Sequence, residues 1–202
     1  MVYGKTEGRE TPGEDADLIL GEGDQPGWDY AFSKIANEHL AQAHVARHGL
    51  RATIVRLFNV IGPRAKGQVI PIFLGQARAR VPLTVHGDGG HRRCFTDVRD
   101  IAEAFVRLAH CDDACNDVVN IGSRNEYSLL QLADLAKSAT HSDSPVSHIP
   151  FEHLPMGEYQ RHHPWKTPSL SKARKLIGYA AVHPIDECLR EIVALDDNPG
   201  LA

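Results

Sequence analysis

The chain has 202 residues, 42% of them hydrophobic and 24% charged, with a formal net charge of −4 when its 12 His are neutral. That length suits one ordinary domain or one and a half, and the balance is that of a soluble globular protein. It excludes a nucleic-acid surface built on basic excess, and the apolar runs are too short to cross a membrane.

The opening "MVYGKTEGRE" carries no apolar segment of the secretory kind. Residues 5–29 are polar and rich in Gly, Pro, Glu and Asp, and read as a long loop. From Trp28 to about Arg47 good helix formers carry a long helix, with Gly49 as its stop signal. "RATIVRLFNV", 51–60, reads as a strand buried on both faces and ended by "GPR" at 62–64. A helix over 69–80, a short strand over 82–86, the turn "GDGG" at 87–90 and a short strand over 94–98 follow. "DVRDIAEAFVRLAH", 97–110, is an amphipathic helix with Asp97 at its N-cap. "DVVNIG", 117–122, is a further buried strand, and Ser128 caps a helix over 129–139. After a His/Ser/Pro-rich loop, "SLSKARKLIGY" and "HPIDECLREIVALDD" give two more helices. Helices alternating with apolar strands predict an α/β fold.

The four Cys, at 94, 111, 115 and 188, show no CxxC spacing, so free thiols in a cytoplasmic protein are expected. His44 and His48 stand four apart on the first helix, and His162 and His163 lie beside a Pro. No HExxH and no third ligand accompanies them, so the reading is solvated imidazoles and no metal.

"YAFSK" places Tyr30 and Lys34 four apart on one helical face. A tyrosine is a poor base at neutral pH, with an ordinary pKa of about 10. An ammonium one turn away favours a phenolate, and a phenolate can take the proton of an alcohol while hydride leaves the same carbon. A two-residue motif is weak alone, and an exposed Tyr with a solvated Lys is the competing reading.

The order of the motifs decides between them. "VYG" at 2–4, "WDYAFSKIANEHL", "VRLFNVIGPR" at 55–64, "VIPIFLGQARARVPLTVHGDGGHRRCFTDVRDIAEAF", "VVNIGSRNEYSLLQLADL" and "PSLSKARKLIGY" follow one another through nearly the whole chain. Together they resemble the extended short-chain dehydrogenase/reductase family, specifically its NAD-dependent nucleotide-sugar epimerases and dehydratases. The resemblance implies the C-terminal part of a Rossmann-like parallel sheet with a smaller α/β substrate-binding domain. Residues 1–62 and 97–122 would belong to the NAD-binding unit, and 63–96 and 123–202 to the nucleotide-sugar unit. It implies Tyr30 as the base and Lys34 as its activator and ribose contact, both touching NAD together with Phe58. Asn59 and Arg93 would meet the nucleotide sugar on its phosphate side, with Arg92 able to exchange roles with Arg93. Leu83 and Val85 would line the nucleobase slot.

The implied activity is a nucleotide-sugar 4-epimerase, an isomerase that oxidises and re-reduces the sugar C4. A 4,6-dehydratase or a decarboxylase of a sugar uronic acid shares the first step. The implied partners are a nucleoside diphosphate sugar and, in the parent enzyme, a second copy of the chain, with neither nucleic acid nor membrane.

The sequence also departs from the pattern. Ile61 stands where the family has Tyr, and His86 where it has an aromatic before "Gly-Asp-Gly". "Arg-Asp-Phe" becomes Arg93-Cys94-Phe95, and the C-terminal Arg is either replaced by Lys166 or displaced to Arg161. The Gly-rich strand-turn-helix that holds a dinucleotide pyrophosphate has no counterpart, since "GEG" at 21–23 and "GDGG" lack the flanking strand and helix. The family's active-site Ser or Thr would precede "VYG". The expectation is therefore a truncated chain, and a non-catalytic remnant or a partner of a full-length homologue competes with the enzyme reading. Uncovered strand edges and apolar surface would follow. The isolated chain is expected to self-associate in scattering-coupled chromatography and to show no micromolar NAD affinity by titration calorimetry; a sharp monomer or tight NAD binding would contradict this.

Overall fold

The computed structural model describes residues 2–3, 12–20, 28–153 and 167–197. The "GEG" glycines, most of the predicted 5–29 loop, His162, His163, Arg161 and Lys166 lie outside the described residues. Helix α1 is Trp28–His48, followed by strands β1 (Ile54–Leu57) and β2 (Val60–Ile61), then α2 (Val69–Arg78) and β3 (Leu83–His86). Strands β4 (Arg92–Cys94) and β5 (Thr96–Asp97) lead into α3 (Val98–Ala109). Strands β6 (Val118–Ile121) and β7 (Glu126–Ser128) precede α4 (Leu129–Ala139). The chain then forms β8 (Val146–Ile149), α5 (Ser171–Ile177) and α6 (Ile185–Asp197).

Three strand pairs are parallel, β1 with β6, β2 with β5 and β3 with β8, and β4 with β7 is antiparallel. This is the expected α/β class. Strand β8 falls inside the stretch read from sequence as a loop. Its four residues include Ser147 and His148, which mask any apolar run, and only pairing with β3 defines it: Leu83 N–H donates to the Pro145 carbonyl at 2.9 Å and Gly87 N–H to that of Ile149 at 2.8 Å.

The predicted single strand over 51–60 is two. Asn59 has φ +39°, a left-handed conformation that Asn tolerates better than branched residues. There the chain stops pairing with β6 and starts pairing with β5: Phe58 N–H donates to Ile121 O, and Asn59 O accepts from Thr96 N–H. The strand is also not buried on both faces, since Leu57 is 40% exposed. Among the described residues β1 has one strand partner, β6.

Two large apolar cores result, beside a small cluster of Val2, Tyr3, Phe58 and Cys94. Phe73 and Leu74 of α2, Leu83 and Val85 of β3, Leu132 of α4 and Leu189 of α6 form one. Ile101 and Leu108 of α3, Val119 and Ile121 of β6, Leu170 and Tyr179 form the other. Each fully buried large side chain contributes about 1.5–3 kcal/mol.

A buried polar network ties α1 to β1. Arg56 donates to Glu38 through Nε at 3.0 Å and Nη2 at 2.8 Å. The two side chains are 8% and 12% exposed. The guanidinium sits 4.7 Å from the Tyr3 ring centroid, and its Nη1 donates to the Glu14 carbonyl at 3.3 Å. The Tyr3 hydroxyl donates to Asn120 Oδ1 at 2.6 Å, and Asn120 N–H donates to Glu14 at 2.8 Å. Burial disfavours the Arg56 charge, but its bonds to Glu38 and Tyr3 outweigh that and hold it protonated. Asp97 caps α3, accepting from Arg99 N–H at 2.8 Å and from the Arg99 guanidinium at 3.0 and 2.8 Å. Burial would raise the Asp97 carboxyl, but the bonds from Arg99 win and hold it below the usual carboxylate range. A capping box of Ser128 and Gln131 starts α4 as the sequence predicts.

Two outcomes follow for stability. Glu38→Ala strands a buried guanidinium and should cost about 3–5 kcal/mol in urea unfolding. Asn caps a helix about as well as Asp, so Asp97→Asn loses chiefly the ion pair with Arg99 and should cost about 1 kcal/mol or less at neutral pH. Because the folded Asp97 value lies below the unfolded one, its stabilisation is present above the unfolded value and fades as pH falls through the folded one. The variant should therefore lose stability less steeply than the wild type as pH falls below about 4.

Candidate active site

Tyr30, Lys34 and Glu38 recur at intervals of four along α1 and so share one face. With Glu38 clamped by Arg56, the rotation of α1 against β1 is fixed, and Tyr30 and Lys34 line a cleft of about 360 Å³ between the two elements. Phe58, at the carboxyl end of β1, lines the same cleft. The Lys34 ammonium lies 5.4 Å from the Tyr30 ring centroid, and Ser33 Oγ donates to the Tyr30 carbonyl at 2.8 Å. Tyr30 is 59% exposed, open to a reacting partner.

The next residue, Asn59, opens into a second cleft of about 420 Å³, which Arg93 also lines. Asn59 Nδ2 donates to the Cys94 carbonyl at 2.7 Å, so its side chain braces the left-handed turn that it occupies. The backbone at Phe58–Asn59 thus joins the two clefts. The position is the carboxyl end of a parallel strand where pairing switches, the place where open α/β sheets bind ligands. The structure separates the two arginines that the sequence leaves interchangeable. Arg92 Nε donates to Glu126 on β7 at 3.3 Å and its Nη2 to the Glu126 carbonyl at 3.0 Å, while Arg93 lines the cleft.

Leu83 and Val85 require a correction. Both side chains are 0% exposed in the core, so neither lines a nucleobase slot. Side chains alternate along a strand, and it is Thr84 and His86 of β3 that line the second cleft. The period-2 pattern "LTVH" holds that signal, since its apolar pair marks the core face. Thr84 is held in turn by Gln76, whose Nε2 donates to Thr84 Oγ1 at 2.9 Å. His91 also lines this cleft, its ring tilted against Phe151 with centroids 5.0 Å apart, and sequence reasoning missed it because no motif marks it. Arg56 was missed as well, although a lone charge inside an apolar strand is a visible signal. Ile61, in the family's Tyr position, is buried at 2% exposure and fills the first core. Cys94 lies beside the site, but burial pushes its thiol up to about 12, which makes it unreactive.

The "GDGG" turn needs its glycines for packing: a Cβ on Gly87 would lie 2.3 Å from the Phe151 ring, and one on Gly89 2.7 Å from Leu130. His44 and His48 stand exposed on α1 with ring centroids 5.3 Å apart. Among the described residues no three His, Cys, Asp or Glu side chains gather to hold a metal ion, and no helix is long and apolar enough to cross a membrane.

Comparison with known proteins fits this geometry. The family model described as "NAD dependent epimerase/dehydratase family" matches residues 1–122. The chain is 37% identical over 188 residues to UDP-N-acetyl-alpha-D-glucosaminuronate decarboxylase of Bacillus cytotoxicus, covering 91% of this chain and 56% of that protein. It is 29% identical over 167 residues to UDP-glucuronic acid decarboxylase 1 of Danio rerio, covering 81% of this chain and 38% of the other. The chain thus spans about half the length of the curated relatives it matches. Among solved structures, UDP-glucuronic acid 4-epimerase of Bacillus cereus in complex with NAD superposes with a TM-score of 0.79 at 22% identity, over 96% of this chain and 59% of that one. The dTDP-glucose 4,6-dehydratase of Bacillus anthracis in complex with NAD also gives 0.79, at 19% identity, over 98% and 60%. These two likenesses establish the Rossmann-like α/β fold. With the family model matching residues 1–122, more than half of the chain, the chain belongs to the NAD dependent epimerase/dehydratase family.

Proposed function

We propose that the chain carries the Tyr–Lys pair and the nucleotide-sugar cleft of an NAD-dependent enzyme that oxidises a nucleoside diphosphate sugar at C4. One observation carries this reading: Tyr30 and Lys34 line one cleft, Asn59 and Arg93 line the next, and the two meet at Phe58–Asn59. In this reading 1–62 and 97–122 form the cofactor-side unit and 63–96 and 123–202 the sugar-nucleotide unit, with Leu170, Ala173 and Tyr179 of the latter packed into the core of α3 and β6. Arg93 pairs with the diphosphate through charge-assisted bonds, and Asn59 and Thr84 orient the nucleotide sugar. Tyr30, as phenolate, takes the C4 hydroxyl proton, and the Lys34 ammonium stabilises that phenolate and reaches the cofactor ribose. NAD, when bound, would supply reversible hydride transfer at C4. The residues present fit the nicotinamide-ribose end of that cofactor at Tyr30, Lys34 and Phe58. The exposed Phe32 and Leu40 of α1 suit contact with a second copy.

The step after oxidation divides the family. The sequence reading is 4-epimerisation, in which the 4-keto sugar turns over before reduction. Both curated relatives are named as decarboxylases of UDP-sugar acids, and this favours decarboxylation of a uronic acid. There the C4 ketone lies β to the C6 carboxylate. The C5–C6 bond breaks, its electron pair forms the C4–C5 enolate, CO2 leaves, C5 takes a proton, and C4 is reduced.

The test is turnover of UDP-glucuronic acid and its N-acetylglucosamine analogue with added NAD, on this chain and on any longer chain that contains it. Released CO2 with a pentose product marks decarboxylation, and an intact acid of inverted C4 marks epimerisation. Tyr30→Phe should lower kcat by at least about 100-fold. Unchanged turnover in that variant would refute the assignment, whereas nucleotide-sugar binding without turnover by any chain would favour the remnant or partner reading.

A further inference from the structure

The second cleft is uniform in charge. Arg93, His86 and His91 line it, and among the described residues its lining includes no carboxylate. Gly67, Gln68 and Val69 line it too, so the start of α2 faces the same space. That start has no acidic residue in its first turn and no side-chain cap from Gln68, leaving the positive end of the helix directed at the cleft. His91 and Arg93 are two residues apart in extended chain and so point to one side.

His91 is held in place. Its ring packs on Phe151 at 5.0 Å, and its carbonyl accepts from Leu129 N–H at the start of α4 at 3.2 Å. The charged and titratable groups around it are Arg93 on β4, His86 on β3, Asp88 in the turn, and Glu152 and His153 beside Phe151. Burial first, and Arg93 second, push the imidazole below its ordinary value, with Asp88 opposing them. In the chain alone His91 therefore sheds its proton early as pH rises toward neutrality.

We propose that His91 is a second anion contact beside Arg93 that works by protonation: a nucleoside diphosphate entering this cleft draws a proton onto His91, so its affinity rises as pH falls. This rests on the proposed placement of the diphosphate at Arg93. The sign follows from Coulomb attraction, since a dianion beside the ring favours the charged imidazole and the bound form holds more protons than the free form.

UDP-glucose is the suitable probe, because its diphosphate diester keeps its charge through the range in which histidine titrates. Calorimetric titration of the 202-residue chain from about pH 8 to about pH 6 should show affinity rising by up to about tenfold per pH unit. Near neutrality, two buffers of different ionisation enthalpy should report uptake of up to about one proton per nucleotide. His91→Gln should abolish the uptake and flatten the pH dependence, while His86→Gln should keep both. Wild-type binding with no proton uptake, or equal uptake in His91→Gln, overturns the role of His91 and leaves the placement at Arg93 standing. Absence of UDP-glucose binding at every pH overturns that placement and this inference with it.

Discussion

The buried pair between Arg56 and Glu38 is the constraint on which the site depends. It joins α1 to β1, the strand that leads into Phe58 and Asn59. A guanidinium in a strand interior is costly unless a carboxylate meets it with good geometry, and this one is met at two oxygens. The bidentate form fixes direction as well as distance. Since Glu38 shares a helical face with Lys34 and Tyr30, fixing Glu38 also fixes where those two project. Tyr3, Asn120 and Glu14 then satisfy the remaining groups, so the network is a closed polar patch beneath an otherwise apolar sheet.

Asn59 supplies the second constraint. Its left-handed turn breaks one apolar run into β1 and β2 and moves the chain from one strand partner to another. The bend sets adjacent residues to face different spaces, Phe58 toward the Tyr–Lys cleft and Asn59 toward the cationic one. A straight strand would have paired with β6 throughout. The two clefts are thereby held a single peptide unit apart.

The cationic cleft shows how a strand divides its labour. On β3, Leu83 and Val85 go to the core while Thr84 and His86 face the cleft. On the neighbouring strand, Arg92 is spent on Glu126 and Arg93 faces the cleft. In both strands the alternation of the pleat, more than residue type, decides which side chain can meet a ligand.

By itself the sequence determined the α/β class, the helices with their caps at Asp97 and Ser128, the strand cores, and the ordered Tyr-x-x-x-Lys and Asn-x-x-Gly-Pro segments that identify the family. Those features are local: helix caps act within three or four residues and strand periodicity within five or six. What only the tertiary structure decided is non-local. It chose between Arg92 and Arg93, because the choice turns on Glu126, 34 positions away. It moved Leu83 and Val85 out of the site, because their burial depends on packing against α2 and α4. It revealed β8, whose pairing with β3 no run of four half-polar residues announces. It also placed His91 beside Arg93 and Phe151, a neighbourhood that comes from chain segments about 60 residues apart and so leaves no pattern along the sequence.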